Sequence, residues 1–181
     1  MAFSSQHLYY DDISIGQEWE SPGRTVTETD IVLYAGFSGD YNPMHVNHEF
    51  AKTTPFRRPI AHGFAVFSIA SGLGVQVPMI RTIALLGVRE WRFVNPVFAE
   101  DTIRVITRVV EKTLKGRGRR GEVVWHRSIL NQEGKVIQEG EIKTLVECRP
   151  LAKPGNMATA ESTGEPMAHP GGNGSTAETS A

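Results

Sequence analysis

The chain has 181 residues, 40% hydrophobic and 22% charged, the make-up of an ordinary globular protein of one domain with room for a tail. Lys and Arg (19) nearly balance Asp and Glu (20), so the formal net charge of −1 points neither to nucleic acid nor to an anionic membrane surface. Cys148 is the only cysteine, which excludes an intrachain disulfide framework and a multi-cysteine zinc site and fits a reducing compartment.

The first residues show no basic region followed by an apolar run, and no stretch approaches ~18 unbroken apolar residues. The expectation is a cytoplasmic protein without a membrane span. Glu18 to Val26 is expected as a first strand or extended entry. Thr27 opens a helix, because Thr27-x-x-Asp30 is a capping box with Asp in place of Glu or Gln, and its carboxylate suits the positive end of the dipole. Ile31, Tyr34, Ala35 and Phe37 supply an apolar face, and Gly36 and Gly39 are expected to break the helix. A compact polar stretch follows, Ser38-Gly39-Asp40-Tyr41-Asn42-Pro43-Met44-His45, and Glu49 to Thr53 suits one helical turn. Pro55 and Pro59 mark a loop.

From His62 the pattern is helical and apolar nearly all round, with Ala65, Ala70, Gly72 and Gly74 keeping it thin. Such a helix is normally buried on every side, which predicts a central helix wrapped by a sheet. Strands are expected at Ile83–Val94, Thr102–Leu114, Glu122–Leu130 and Lys135–Arg149, with Gly140 hosting a bulge and turns at 116–121 and 131–134. Helix first and then a run of long antiparallel strands is an α+β arrangement. From Ala152 to Ala181 there is no Val, Ile, Leu, Phe, Tyr or Trp, so the folded domain is expected over 1–151 with a disordered tail over 152–181.

Asp40 and His45 flank Asn42-Pro43, and Pro43 fixes its own φ while holding Asn42 extended. Such a loop can hold an acid and an imidazole at a set separation for general acid–base work. The same residues also suit an Asx-turn and a surface histidine. Gly63 leads into the apolar helix, where unpaired N–H groups at the positive end can stabilise an anion or a developing oxyanion. A glycine there also suits close helix–sheet packing. His45 and His48 have metal-ligand spacing, but Pro43 argues against a regular helix and thiolates are lacking, so no metal is expected.

The segments Ser38–His45 and, after Ala51, Arg58-Pro59-Ile60-Ala61-His62-Gly63 resemble the signature of the MaoC-like dehydratases and (R)-specific enoyl-CoA hydratases. Asp12-Ile13-x-x-Gly16-Gln17 and Arg92-Phe93-Val94-Asn95-Pro96-Val97, followed by Asp101-Thr102, resemble the flanking segments. Glu100 departs from the glycine common in relatives, a matter of turn geometry. The resemblance implies a hot-dog fold, a curved antiparallel sheet wrapped around a central helix. It implies a homodimer, or a higher assembly of dimers, acting on an acyl-CoA thioester, with no cofactor beyond the coenzyme A of the substrate. By position it makes Asp40 and His45 the catalytic dyad and Gly63 the oxyanion donor. Asn42 braces the loop, and Ser71 lies near the active site. Arg58 fits the family pattern and competes with Arg57 and the basic run 115–121 for coenzyme A phosphates; Arg57 also suits a substrate carboxylate, and the run also suits a solvated hairpin tip. His62 reads as a structural residue at the helix start. The expected reaction is reversible hydration of a trans-2-enoyl-CoA to the (R)-3-hydroxyacyl-CoA; the alternatives are a hot-dog thioesterase and a non-catalytic acyl-CoA-binding protein.

Overall fold

The computed structural model describes residues 7–150, and the segment expected as a tail lies outside the described residues. Two short strands, β1 (Glu18–Glu20) and β2 (Arg24–Thr25), replace the single entry strand expected over 18–26. Three helices follow, α1 (Glu28–Ser38), α2 (Pro43–Val46) and α3 (His48–Thr53), and then α4 (Gly63–Gly74). The second half is four strands, β3 (Thr82–Phe93), β4 (Thr102–Lys115), β5 (Arg120–Leu130) and β6 (Val136–Glu147). The sheet is antiparallel in the order β1-β4-β5-β6-β3, with β2 also on β4.

The Thr27 capping box forms as its sequence predicts. Thr27 Oγ1 accepts from Asp30 N at 3.2 Å, and Asp30 Oδ2 accepts from Thr27 N at 2.8 Å. Gly36 does not break α1, which runs to Ser38 and stops at Gly39 in the left-handed region, φ 75°. Pro43, expected to oppose a helix, instead starts α2 at its first position, where no N–H is needed.

On the inner face of the sheet, Ile103 and Val105 of β4, Ile129 of β5 and Ile137 of β6 form one apolar cluster with Val66, Ala70 and Leu73 of α4. Val109, Val123, Trp125 and Val146 form a second with Tyr10 and Ile13. The sheet therefore covers one side of α4. The expectation of a helix buried on every side does not hold within one chain, since Phe64 is 64% and Val75 60% exposed. On β4, Ile103, Val105 and Val109 are buried, whereas the edge strand β3 leaves Ile83, Leu85, Leu86 and Val88 exposed.

Gly140 does not host a bulge. The pairs Arg89↔Glu141 and Arg92↔Glu139 leave Glu90 and Trp91 opposite Gly140 alone, so the extra residue is on β3. Gly140 is needed because a Cβ there would lie 2.7 Å from Trp91 Cα. The bulge brings the Trp91 indole N–H to Gln138 Oε1 at 3.0 Å, and Gln138 Nε2 donates to Gly63 O at 2.9 Å. Glu100, at φ 79°, holds a left-handed turn that a glycine would adopt without strain. Gly140→Ala is expected to cost about 1–3 kcal/mol through overpacking against backbone. Chemical denaturation will read this as a lower midpoint with an unchanged slope.

Candidate active site

The end of α1 and the start of α4 meet through the polar loop between them. Asn42, expected by resemblance at the substrate site as the brace of the loop, caps α2, its Oδ1 accepting from Met44 N at 3.2 Å. Asp40 Oδ1 accepts from Asn42 N at 3.2 Å, the Asx-turn that the spacing allows. Ile60 N donates to Met44 O at 3.2 Å and ties the far strap of the loop to α2.

His45 is held on two sides. Its Nδ1 lies 2.7 Å from Ile60 O; a carbonyl only accepts, so Nδ1 carries the proton and Nε2 is left as the basic nitrogen. Its ring stacks on His62 at 3.8 Å between centroids and 27° between planes. Burial lowers the His45 pKa from its ordinary value of 6.5; the Ile60 carbonyl opposes this, His62 adds to it and Asp40 partly offsets it. The imidazole is thus neutral at neutral pH and available as a base.

His62, assigned only a structural place by the sequence, is buried, and its Nε2 donates to Asp40 O at 2.9 Å. Tyr34 packs on its ring at 5.0 Å. It therefore positions both Asp40 and His45, one through the backbone and one through ring stacking. The signal available in the sequence was its adjacency to Gly63 at the start of an apolar helix. Polar atoms of Asp40, His45 and His62 lie within 4.8 Å of one another. His45 Nδ1 and His62 Nε2 are already engaged, and rings stacked face to face direct their lone pairs along near-parallel planes. That suits packing more than convergence on one ion at about 2.0–2.1 Å.

Gly63 is the first residue of α4, so its N–H has no acceptor within the helix. It lines a cleft of about 480 Å³ together with His45, Ile60, Phe64, Val94 and Asn95. A Cβ on Gly63 would stand 2.8 Å from the Phe93 ring, so this close approach depends on glycine. The structure thus brings Asp40, His45 and Gly63 together. It places Ser71 elsewhere, on a second cavity at the other end of α4. Arg58 is exposed and stacks over Phe98 at 4.0 Å, two residues from the cleft wall at Ile60, whereas Arg57 donates to Lys52 O at 3.2 Å. The basic run occupies the β4–β5 hairpin tip.

Residues 12–128 match the family model of the MaoC like domain. The (R)-specific enoyl-CoA hydratase of Rhodospirillum rubrum is 35% identical over 142 residues, 78% of this chain and 93% of that protein. A solved structure described as a monoamine oxidase regulatory protein from Archaeoglobus superposes with a TM-score of 0.74 at 38% identity, covering 80% of this chain and 97% of the other. A Mycobacterium tuberculosis protein with a double hot-dog fold shares the fold alone, with a TM-score of 0.71 at 22% identity over 82% of this chain and 47% of that one. The sheet order, the helix it covers and the match across most of the described residues lead to one conclusion: this chain belongs to the MaoC-like domain family and has the hot-dog fold.

Proposed function

We propose that this chain catalyses the reversible hydration of a trans-2-enoyl-CoA to the (R)-3-hydroxyacyl-CoA. The observation that carries the reading is one cleft lined by the neutral His45 imidazole and the first turn of α4, with the Asp40 carboxylate next to that imidazole. Hydration adds the oxygen of water to C3 and a proton to C2, and negative charge develops on the thioester oxygen between the two events. The Gly63 N–H is suited to that oxygen; loss of one such donor typically costs about 2.7–4 kcal/mol. Asp40 and His45 would bind the water between them, take one proton from it and deliver one to C2. The (R)-specific hydratase among the relatives supports this choice over thioester hydrolysis. The step needs no cofactor beyond the coenzyme A of the substrate, and exposed Arg58 beside the cleft suits its phosphates. Among the described residues no helix is long and apolar enough to cross a membrane, and the buried thiol of Cys148 fits a cytoplasmic setting. Loss of enoyl absorbance without release of free thiol is the expected assay result; thiol release without hydration would establish the thioesterase, and saturable binding without turnover the binding protein.

We also propose that the working unit is a homodimer joined through β3. This edge strand has an open row of backbone donors and acceptors, and Leu85 is 63% exposed on it. Phe64, on the uncovered side of α4, packs edge-on to Phe93 of the same strand, so one partner can cover both. Light scattering is expected to give twice the chain mass, and Leu86→Lys to give a single-chain mass with loss of activity. A fully active species of single-chain mass would refute this assembly.

Asp40→Asn and His45→Gln are each expected to lower kcat by about 10²–10⁴-fold while leaving the unfolding midpoint nearly unchanged. The double variant should be barely worse than either single, because the two groups act on one water. Stopped-assay kinetics with circular dichroism on the same samples will check both.

The pH dependence follows from the lowered His45 pKa. The base works only when neutral, so the acid limb of kcat/KM should fall below the ordinary 6.5 of histidine. In the unfolded chain the imidazole protonates first as pH falls, so stability is retained above 6.5 and declines between 6.5 and the lower folded value. His62→Phe removes a group that lowers this pKa, and should move the acid limb upward.

A further inference from the structure

The inner face of β5 alternates Val123, Trp125, Arg127 and Ile129, and three of these four belong to the two apolar clusters. Arg127 stands between the clusters and is only 8% exposed. Thr107, its direct partner on β4, is also buried, and its Oγ1 has no hydrogen-bond partner. Among the described residues the guanidinium makes one hydrogen bond, Nη2 donating to Gly74 O at 3.2 Å, and its Nε has no hydrogen-bond partner. Burial alone lowers its pKa to about 10, so it keeps its charge at neutral pH, and among the described residues no carboxylate pairs with it. A Cβ on Gly74 would stand 2.7 Å from its Cζ; only glycine leaves that seat open.

Arg127 faces a cavity of about 130 Å³ shared with Ser71, Thr107 and Thr144. A cation set in an apolar interior without a counter-charge is strongly disfavoured unless something completes it. The cavity and the cleft at Gly63 share no lining residue, but both are lined from one face of β6. Gln138 lines the cleft and Ile142 the cavity, both buried on the same face of β6, four residues or about 13 Å apart.

We propose that the Arg127 cavity is an anion subsite for a carboxylate at the far end of the acyl chain, so that the preferred substrate is a dicarboxylic 2-enoyl-CoA. The proposal deepens the hydratase reading and rests on it for the acyl group. The guanidinium fork accepts a carboxylate in two hydrogen bonds, and Thr107, Thr144 and Ser71 supply further hydroxyls. Ser71 then serves the distal end of the substrate and not the reacting carbons.

The test compares enoyl-CoA thioesters of matched length, short to long, ending in a methyl or a carboxylate, with wild type, Arg127→Met and Arg127→Lys. At one chain length the wild type should favour the carboxylate end by at least about tenfold in kcat/KM. Arg127→Met should lose on the order of 10²-fold on that ester, mainly in KM, and little on the methyl ester. Arg127→Lys should recover part of the loss. Equal losses on both esters would mean that Arg127 only caps α4, and overturn the proposal. A wild-type preference for the methyl end at every length also overturns it, and needs no variant to fold. Calorimetry with the saturated pair adipyl-CoA and hexanoyl-CoA, extended to the other lengths, reads the subsite without catalysis. An Arg127-dependent preference for the carboxylate without hydration of any ester would uphold the subsite and refute the hydratase. Hydration with no such preference in either assay would do the reverse.

Discussion

Three hydrogen bonds strap the loop after α1 to the segment that enters α4, and the site exists only through them. Ile60 N to Met44 O, His45 Nδ1 to Ile60 O and His62 Nε2 to Asp40 O join residues 15 to 22 positions apart. The middle bond fixes the tautomer of His45 and so decides which nitrogen is basic. The last one uses the backbone of Asp40, so its carboxylate is engaged only through Oδ1, by Asn42 N. Burial of the His45 ring, with His62 stacked on it, then keeps His45 neutral more readily than water would. Position and protonation state are thus set by the same few contacts.

The strap needs a firm far wall, and the β3 bulge supplies it. The extra residue opposite Gly140 brings the Trp91 indole to Gln138, whose amide holds the carbonyl of Gly63. Gly63 is therefore gripped from the sheet through its C=O while its N–H stays with the cleft. A helix start held by its carbonyl can present its amide to a charge without rearranging, which is the condition for electrostatic preorganisation.

Much of this was legible in the residues. The Thr27 box, Gly39 as a left-handed stop, the four long strands and the loop carrying Asp40 and His45 all follow from local rules, because each depends on atoms a few positions apart. The misreadings share a cause of another kind. Pro43 was read as a breaker when the loop made it a helix start, and the bulge was given to Gly140 when the glycine only makes room for one on the neighbouring strand. Both turn on what lies opposite, which local spacing does not contain. His62 was undervalued for the same reason: its role appears only when residues 40, 45 and 62 meet. Ser71 was placed near the dyad by its position on α4, yet it lies most of a helix away, on the cavity of Arg127.

The apolar surface has a similar logic. A helix apolar all round was expected to be wrapped, and one chain wraps half of it, leaving Phe64 and Val75 open beside an edge strand that is itself apolar on both faces. The stretch of this edge before the bulge, Ile83 to Val88, carries no charge and would be an aggregation hazard in a lone monomer. Pairing with a second copy removes the edge and covers the helix together, and a two-fold axis lets the same strand serve both chains. The cleft that carries Gly63 is walled by Phe93, the last residue of this strand, and by Val94 after it, so whatever seats against β3 lies beside the wall of the cleft. In the proposed dimer, assembly and access to the cleft would therefore draw on one strand, and a change at that edge would reach the cleft without touching Asp40 or His45.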